Sequence, residues 1–314
     1  MMWGEDSALA PAGPQAARLA HVYWIFFGTC AAVYLAMVVL LMIALTRGER
    51  RPFDEGKRLR AIAVGGALTT AVLLALLVGS TRGGHGLNPL LRGHDVLIVR
   101  VIARQWWWEF RYPGAAPDQE VTTANELHIP VGQPVLLELI SRDVIHSFWV
   151  PALHGKRDLI PGHDSTTYIE ADRTGLFRGQ CAEFCGAQHA KMGFFVIAET
   201  QPEFEGWLGR QRQPAASPLA SDEAATRGRE VFLHGTCPMC HTISGTRAGA
   251  TMGPDLTHLG SRLTLGAGSI PNARDHLATW IVDSQDVKPG NHMPPIPIGG
   301  RELRDLLAYL GTLQ

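Results

Sequence analysis

"GQCAEFCGAQHAKM", residues 179 to 192, gathers Cys181, Cys185, His189 and Met192 into one short loop whose gaps are filled by small and amide residues. The set offers two thiolates, an imidazole and a thioether. Thioether sulfur is a poor zinc ligand and a good copper one, so the softness of these donors argues for copper. A mononuclear blue site uses a single cysteine, whereas two thiolates can bridge a pair of copper ions that each need terminal ligands. His189 and Met192 supply two of these, and one more histidine must come from elsewhere. The best placed is His146 in "SRDVIHSFWVP" (141–151), just after a predicted strand and before the loop-forming Pro151. A Cys181–Cys185 disulfide is the competing reading, and it leaves the nearby histidine and methionine unexplained.

Outward from this loop, the chain from about Asp95 is rich in β-branched and aromatic residues broken by Gly and Pro. "DVLIVRVIARQWWWEFRYP" (95–113), "NELHIPVGQPVLLELIS" (125–141), "STTYIEA" (165–171) and "MGFFVIAET" (192–200) are strand and turn signals at sandwich-like spacing. "QPEFEGWLGRQ" (201–211) reads as a short helix, and "RQPAASPLAS" (212–221) is small, prolyl and polar, the composition of a flexible linker. After it come a helical "SDEAATRGREVFLHG" (221–235), a loop-rich middle and a final helix in which Leu303, Leu306, Leu307 and Leu310 fall at helical spacing.

Toward the amino terminus, Leu19 to Leu45 carries no Asp, Glu, Lys or Arg, and Ala61 to Ser80 is a second apolar run. A helix needs roughly 20 apolar residues to cross a bilayer, so each is a predicted span. Glu5 and Asp6 precede the first run, unlike the basic start of a signal peptide. Arg47, Arg50, Arg51, Lys57, Arg58 and Arg60 crowd the connection, which the positive-inside rule places in the cytoplasm. The organisation expected is a membrane hairpin over 1–94, a β domain over 95–211, a linker over 212–221 and a helical domain over 222–314. Formal net charge is −1 over 314 residues, so no electrostatic footprint points to nucleic acid. Of five cysteines, Cys30 alone lies in an apolar run, as a packing residue; the other four sit in two clusters.

The second cluster is "CPMCH", 237 to 241. C-x-x-C-H is the attachment motif of c-type haem, with Cys237 and Cys240 bonded to the porphyrin edge and His241 an axial iron ligand. A thioredoxin-like pair would need a βαβ setting, and a zinc site a second ligand pair, yet no cysteine follows. A sixth ligand for the iron is offered by Met293 in the stiff loop "KPGNHMPP" (288–295). Methionine opposite histidine raises the reduction potential and suits electron transfer. Met252 and His292 compete: the former lies close to the attachment site, the latter would shift the loop by one residue.

Residues 221 to 314, with "CPMCH", "GPDLTHLG", "KPGNHMPP" and "LLAYL", resemble a class I cytochrome c domain. That resemblance implies that the Pro254 carbonyl accepts the ring N–H of His241. From the hairpin to about residue 208, "RDVIHSFWVP", "KRDLIPG", "GLFRGQCAEFCGAQHAKM" and "FEGWL" resemble subunit II of cytochrome c oxidase. It implies a cupredoxin-like Greek-key sandwich holding the dinuclear CuA centre. By the same resemblance Cys181 and Cys185 bridge the coppers, and His146, His189 and Met192 complete the set. The Glu183 carbonyl joins them, while its carboxylate would reach a magnesium at the subunit I interface. Trp106 in "RQWWWEF" matches the family's electron-input tryptophan; strand alternation instead puts Trp106, Trp108, Phe110 and Tyr112 on one packing face. Many members carry an acidic residue before a "WT" pair in the second span, where this chain reads "GKRLRAIAVG".

Together the two resemblances are to subunit II of a caa-type oxidase. They imply subunits I and III as partners, a cytochrome c or a cytochrome bc-type complex as donor, and a bacterial inner membrane with both cofactor domains on its periplasmic side. Two other readings stand beside it: the electron-input subunit of a CuA-containing nitric oxide reductase, and a membrane-tethered copper-delivery protein. The haem motif argues against delivery, which has no use for a covalent electron carrier.

Overall fold

The computed structural model describes residues 6–46, 55–85, 96–116 and 119–314. Helices α1 (Pro14–Thr46) and α2 (Glu55–His85) cover the two apolar runs, and both have the length and composition to cross a membrane. Their most apolar windows bury nothing inside the chain, so neither is the core helix of a globular unit. Both exceed the expected spans. Proline opens α1, where its missing N–H costs nothing, and Gln15, Ala16 and Ala20 are buried. The Ala16 N–H, one of the donors a helix start leaves unpaired, goes to the Leu153 carbonyl at 3.1 Å, while Ala12 exchanges backbone bonds with Ala152 and Asp172. Helix α1 is thereby fixed to the domain that follows. Arg47, Arg50 and Arg51 lie outside the described residues; Lys57, Arg58 and Arg60 sit at the start of α2.

That domain is a sandwich of two five-stranded sheets. One contains β1 (Leu97–Arg104), β2 (Trp107–Tyr112), β3 (Val121–Ala124), β5 (Val135–Ser141) and β8 (Ser165–Ile169), in the order β3-β2-β1-β5-β8. The other contains β4 (Glu126–Pro130), β6 (His146–Trp149), β7 (Arg157–Leu159), β9 (Gly175–Cys181) and β10 (Gly193–Glu199), in the order β4-β10-β9-β6-β7. Pairs β1–β5 and β4–β10 are parallel and the rest antiparallel. Side chains alternate inward and outward as the pleat requires: in β5 Val135, Leu137 and Leu139 are buried, in β9 Phe177 and Cys181. The same alternation buries Trp108, Phe110 and Tyr112 of β2 in the core. Helix α3 (Gln201–Gln211) closes one end, burying Phe204 and Trp207, with Trp207 stacked on His128 at 3.9 Å. Its start is held by the Glu203 carboxylate, which accepts the Thr200 N–H at 3.0 Å.

The carboxy-terminal unit is helical and has its own core, built on Phe232, Ile243, Leu306, Tyr309 and Leu310. Helix α4 (Glu223–His234) is capped by Asp222, which accepts the Ala225 N–H at 2.9 Å. It crosses α7 (Gly300–Gly311), where the Arg227 guanidinium donates to both oxygens of Asp305 at 2.8 and 3.3 Å. Between them lie the two-residue strands β11 (Thr264–Leu265) and β12 (Ile270–Pro271), then α5 (Arg274–Val282) and α6 (Ser284–Val287). Residues 212–221, read above as flexible, form no helix or strand, yet their start is tied down. His258 meets the carbonyls of Gln211 and Gln213 at 3.2 and 3.1 Å, and the Ala215 N–H donates to Ser244 at 3.0 Å. Composition reports the lack of periodic structure, not the lack of tertiary partners.

Candidate metal and cofactor sites

The copper-type donors are held by two ends of the second sheet. Strand β9 ends at Cys181, and β6 begins at His146; pairing of Phe148 with Cys181 brings those ends together. The loop after Cys181 then folds back so that Cys185, His189 and Met192 return to the same place, and the Cys181 N–H donates to the Met192 carbonyl at 3.0 Å. The Sγ atoms of Cys181 and Cys185 are 3.8 Å apart. A disulfide would need about 2.05 Å, and all five cysteines are free. Around Cys181 lie His146 Nδ1 at 3.9 Å and the Glu183 carbonyl at 3.2 Å. Around Cys185 lie His189 Nδ1 at 3.6 Å and Met192 Sδ at 3.8 Å.

Every donor expected from the sequence is therefore present in one cluster. His146 is fully buried, and its Nε2–H donates to Asp143 Oδ1 at 2.7 Å, which leaves Nδ1 facing the thiols. The Cys181 thiol is held down to about 3, chiefly because Cys185 donates to it and then through His146, against the cost of burial. The same contact, with burial, pushes Cys185 up. Two thiolates this close carry one negative charge between them unless a cation balances the second. The donor set thus fits bound copper: three sulfurs, two imidazoles and a carbonyl converge where both thiols need a positive partner. Glu183's carboxylate is instead paired with Lys156 at 3.5 Å.

Both tryptophans flanking Trp107 reach this loop. The Trp106 indole N–H donates to the Cys185 carbonyl at 2.9 Å, and that of Trp108 to the Met192 carbonyl at 3.3 Å. Gln105 donates to the Cys185 carbonyl as well, at 2.7 Å. Trp106 lies in the turn before β2, outside the strand alternation, and is 8 % exposed, its indole held against the ligand loop and its ring beside that of His292.

In the carboxy-terminal unit a tight turn at Cys237–Met239 presents Cys237, Cys240 and His241 together, with the Cys240 and His241 N–H groups both donating to the Cys237 carbonyl. The His241 Nδ1–H donates to the Pro254 carbonyl at 2.8 Å, which leaves Nε2 free for iron. Burial holds the imidazole's pKa below its ordinary value and so favours the neutral, ligating form. A Cβ at Gly253 would stand 2.6 Å from His241 Cε1, so only glycine lets the backbone cradle this ring. The residues fit a c-type haem.

Met293 lies in a separate loop that is pinned throughout. Its carbonyl accepts from Ser284 Oγ at 2.7 Å and Gln285 Nε2 at 2.9 Å, and its N–H donates to Asn291 Oδ1 at 2.8 Å. Met252, the rival, is 74 % exposed. Met293→Leu should therefore remove the near-infrared band of sulfur ligation and lower the haem potential. The drop should be an appreciable part of the roughly 0.8 V over which axial ligands set haem potentials. A drop seen in Met252→Leu instead would reassign the ligand.

Sequence reading missed Asp143, although a carboxylate three residues before His146 was there to be noticed. It also missed Lys288, Glu126 and Gln105. Lys288 and Glu126 meet partners more than a hundred residues away, so no local pattern marks them.

Two family descriptions match the chain: cytochrome c oxidase subunit II, periplasmic domain, over residues 114–199, and cytochrome c over 225–314. Cytochrome c oxidase subunit 2 of Alkalihalophilus pseudofirmus is 34 % identical, over 99 % of this chain and 92 % of that one. Its counterpart in Bacillus subtilis is 34 % identical over 64 % of this chain and 57 % of the relative. Quinol oxidase subunit 2 of Bacillus spizizenii is 27 % identical over 67 % of each. Among solved structures, the periplasmic domain of subunit II of cytochrome oxidase from Bradyrhizobium japonicum is 29 % identical, covering 39 % of this chain and 97 % of that one, with a TM-score of 0.36.

Proposed function

The chain belongs to the cytochrome c oxidase subunit 2 family, with a cytochrome c domain behind the sandwich, and on that footing we propose that it carries electrons from cytochrome c through its fused haem c and a dinuclear copper centre to haem a of subunit I, which reduces oxygen to water. The observation that carries this reading is the convergence of Cys181, Cys185, His146, His189 and Met192, with sulfur and nitrogen contacts of 3.6 to 3.9 Å. The copper pair would supply a one-electron relay of small structural change, and the haem a second such relay on the donor side. Cys181 and Cys185 would hold the copper pair through their thiolates, with His146, His189, Met192 and the Glu183 carbonyl completing the donor set.

The remaining work is done by the chain's own side chains. Asp143 fixes the tautomer and orientation of His146. Trp106 and Trp108 hold the ligand loop through two of its carbonyls and keep water from the centre. His241 and Met293 would hold the haem iron and Cys237 and Cys240 the ring, while the Pro254 carbonyl orients the histidine. A magnesium at Glu183 rests on the resemblance alone. Subunits I and III, a soluble or membrane-bound cytochrome c or a cytochrome bc-type donor, and a bacterial inner membrane with the sandwich on its periplasmic side complete the assignment. The two exposed apolar helices and the basic residues between them support that placement.

Electron paramagnetic resonance of the oxidised protein tests the centre. One unpaired electron shared by two bridged coppers should give hyperfine splitting from two equivalent nuclei, with two coppers bound per chain. A zinc-only preparation that sustains full turnover would sink the assignment.

A further inference from the structure

The haem-bearing unit does not hang loosely from its linker: two of its loops grip the copper-ligand loop. The β11–β12 turn carries three successive left-handed residues, Gly266 at φ 61°, Ala267 at 62° and Gly268 at 74°. Such a run is costly outside glycine, and Ala267 is buried in it. Its carbonyl accepts the N–H of Gly193, the residue after Met192, at 3.0 Å. In the second loop, Val287 accepts from Lys191 Nζ at 2.5 Å, Pro289 accepts from Gln188 Nε2, and the His292 ring lies 5.2 Å from that of Trp106. On the sandwich side, Glu126 Oε1 of β4 accepts the N–H groups of Leu263 and Thr264 at 2.7 and 3.3 Å.

Lys288 stands at the centre of this contact. It is 3 % exposed, and its Nζ donates to the Trp106 carbonyl at 2.6 Å and to the Gly266 carbonyl at 3.2 Å. It thus ties one gripping loop to the other and both to Trp106. Burial is expensive for such a group; it pulls the ammonium down to about 7, with Cys185 pulling the other way. Charged or neutral, the amine keeps enough N–H groups for both carbonyls. Packing alone would be served by a methionine here, so what lysine adds is two directed hydrogen bonds across the interface.

We propose that Lys288 is the positioning residue that holds the haem-bearing unit closed over Trp106, so that an outside donor reaches the copper loop only through the fused haem. The second half of this statement rests on the electron route proposed above; the closure itself does not.

Hydroxyl-radical labelling of the full-length, cofactor-loaded protein separates the two. Lys288→Met should raise oxidation of Trp106 by about tenfold, the change expected for losing a buried hydrogen bond of ordinary strength. Trp207, buried under α3, should stay protected, and copper content and haem absorption should be unchanged. Lys288→Gln, with a shorter donor, should fall between, and it answers the question where the methionine variant does not fold. The haem-to-copper transfer rate after flash reduction should drop in step with the labelling. Trp106 labelling that stays at the parental level in both variants overturns the proposal, whatever the rate does. Raised labelling with an unchanged rate upholds the closure and counts against the electron route.

Discussion

Replacing Cys181 with serine should cut cytochrome c-driven oxygen consumption by more than about 100-fold, beyond what losing a merely supporting partner costs a metal site. Cys181 is the donor that the other groups surround, with Cys185, His146 and the Glu183 carbonyl all within 3.9 Å of its sulfur. Serine nearly preserves its shape and would leave the buried sandwich position filled. It removes the soft thiolate, and a hydroxyl does not ionise where the Cys181 thiol, held near 3, does. The paired-copper resonance should vanish while haem absorption stays, because the haem residues draw on a separate core. Full oxygen consumption in this variant would show that the loop is structural.

A chain ending at Gln211 should still insert, fold and bind copper, yet oxidise external cytochrome c on the order of 100-fold more slowly, since delivery from a tethered carrier becomes bimolecular. Every proposed copper donor precedes residue 193, and the sandwich core with Phe204 and Trp207 is complete before the cut. What the truncation loses on the sandwich side is mostly polar. Glu126 loses two N–H partners, the Trp106 carbonyl loses Lys288, the Gly193 N–H loses Ala267, and Gln188 and Lys191 lose Pro289 and Val287; water can satisfy each once it is exposed, and the Trp106 ring loses that of His292. Small reductants that reach the copper loop directly should therefore sustain oxygen uptake. The measurement is copper content beside oxygen uptake. Loss of copper would make sandwich and haem unit a single folding unit and move the proposed boundary.

The sequence by itself determined the parts that depend on local pattern and donor chemistry. Uncharged apolar length gave the two long helices, alternation gave the buried face of Trp108, Phe110 and Tyr112, and leucine spacing gave the buried face of α7. The soft donors around Cys181 and the spacing of "CPMCH" pointed to copper and haem, and the structure gathers those residues into two sites, because metal and haem chemistry restrict residue type and reach within a few positions. His146, thirty-five residues from Cys181, was legible only because a histidine beside a predicted strand was what the donor set lacked.

Tertiary structure alone decided how the units meet. Whether 212–221 swings or lies against its neighbours depends on His258 and Ser244. Whether Trp106 faces solvent or the haem-bearing unit depends on Lys288 and His292, some 180 residues away. The Lys288 and Glu126 contacts run from polar side chains to backbone groups, which every residue carries. Such contacts leave no trace in residue type, so composition could place the linker without telling what it allows.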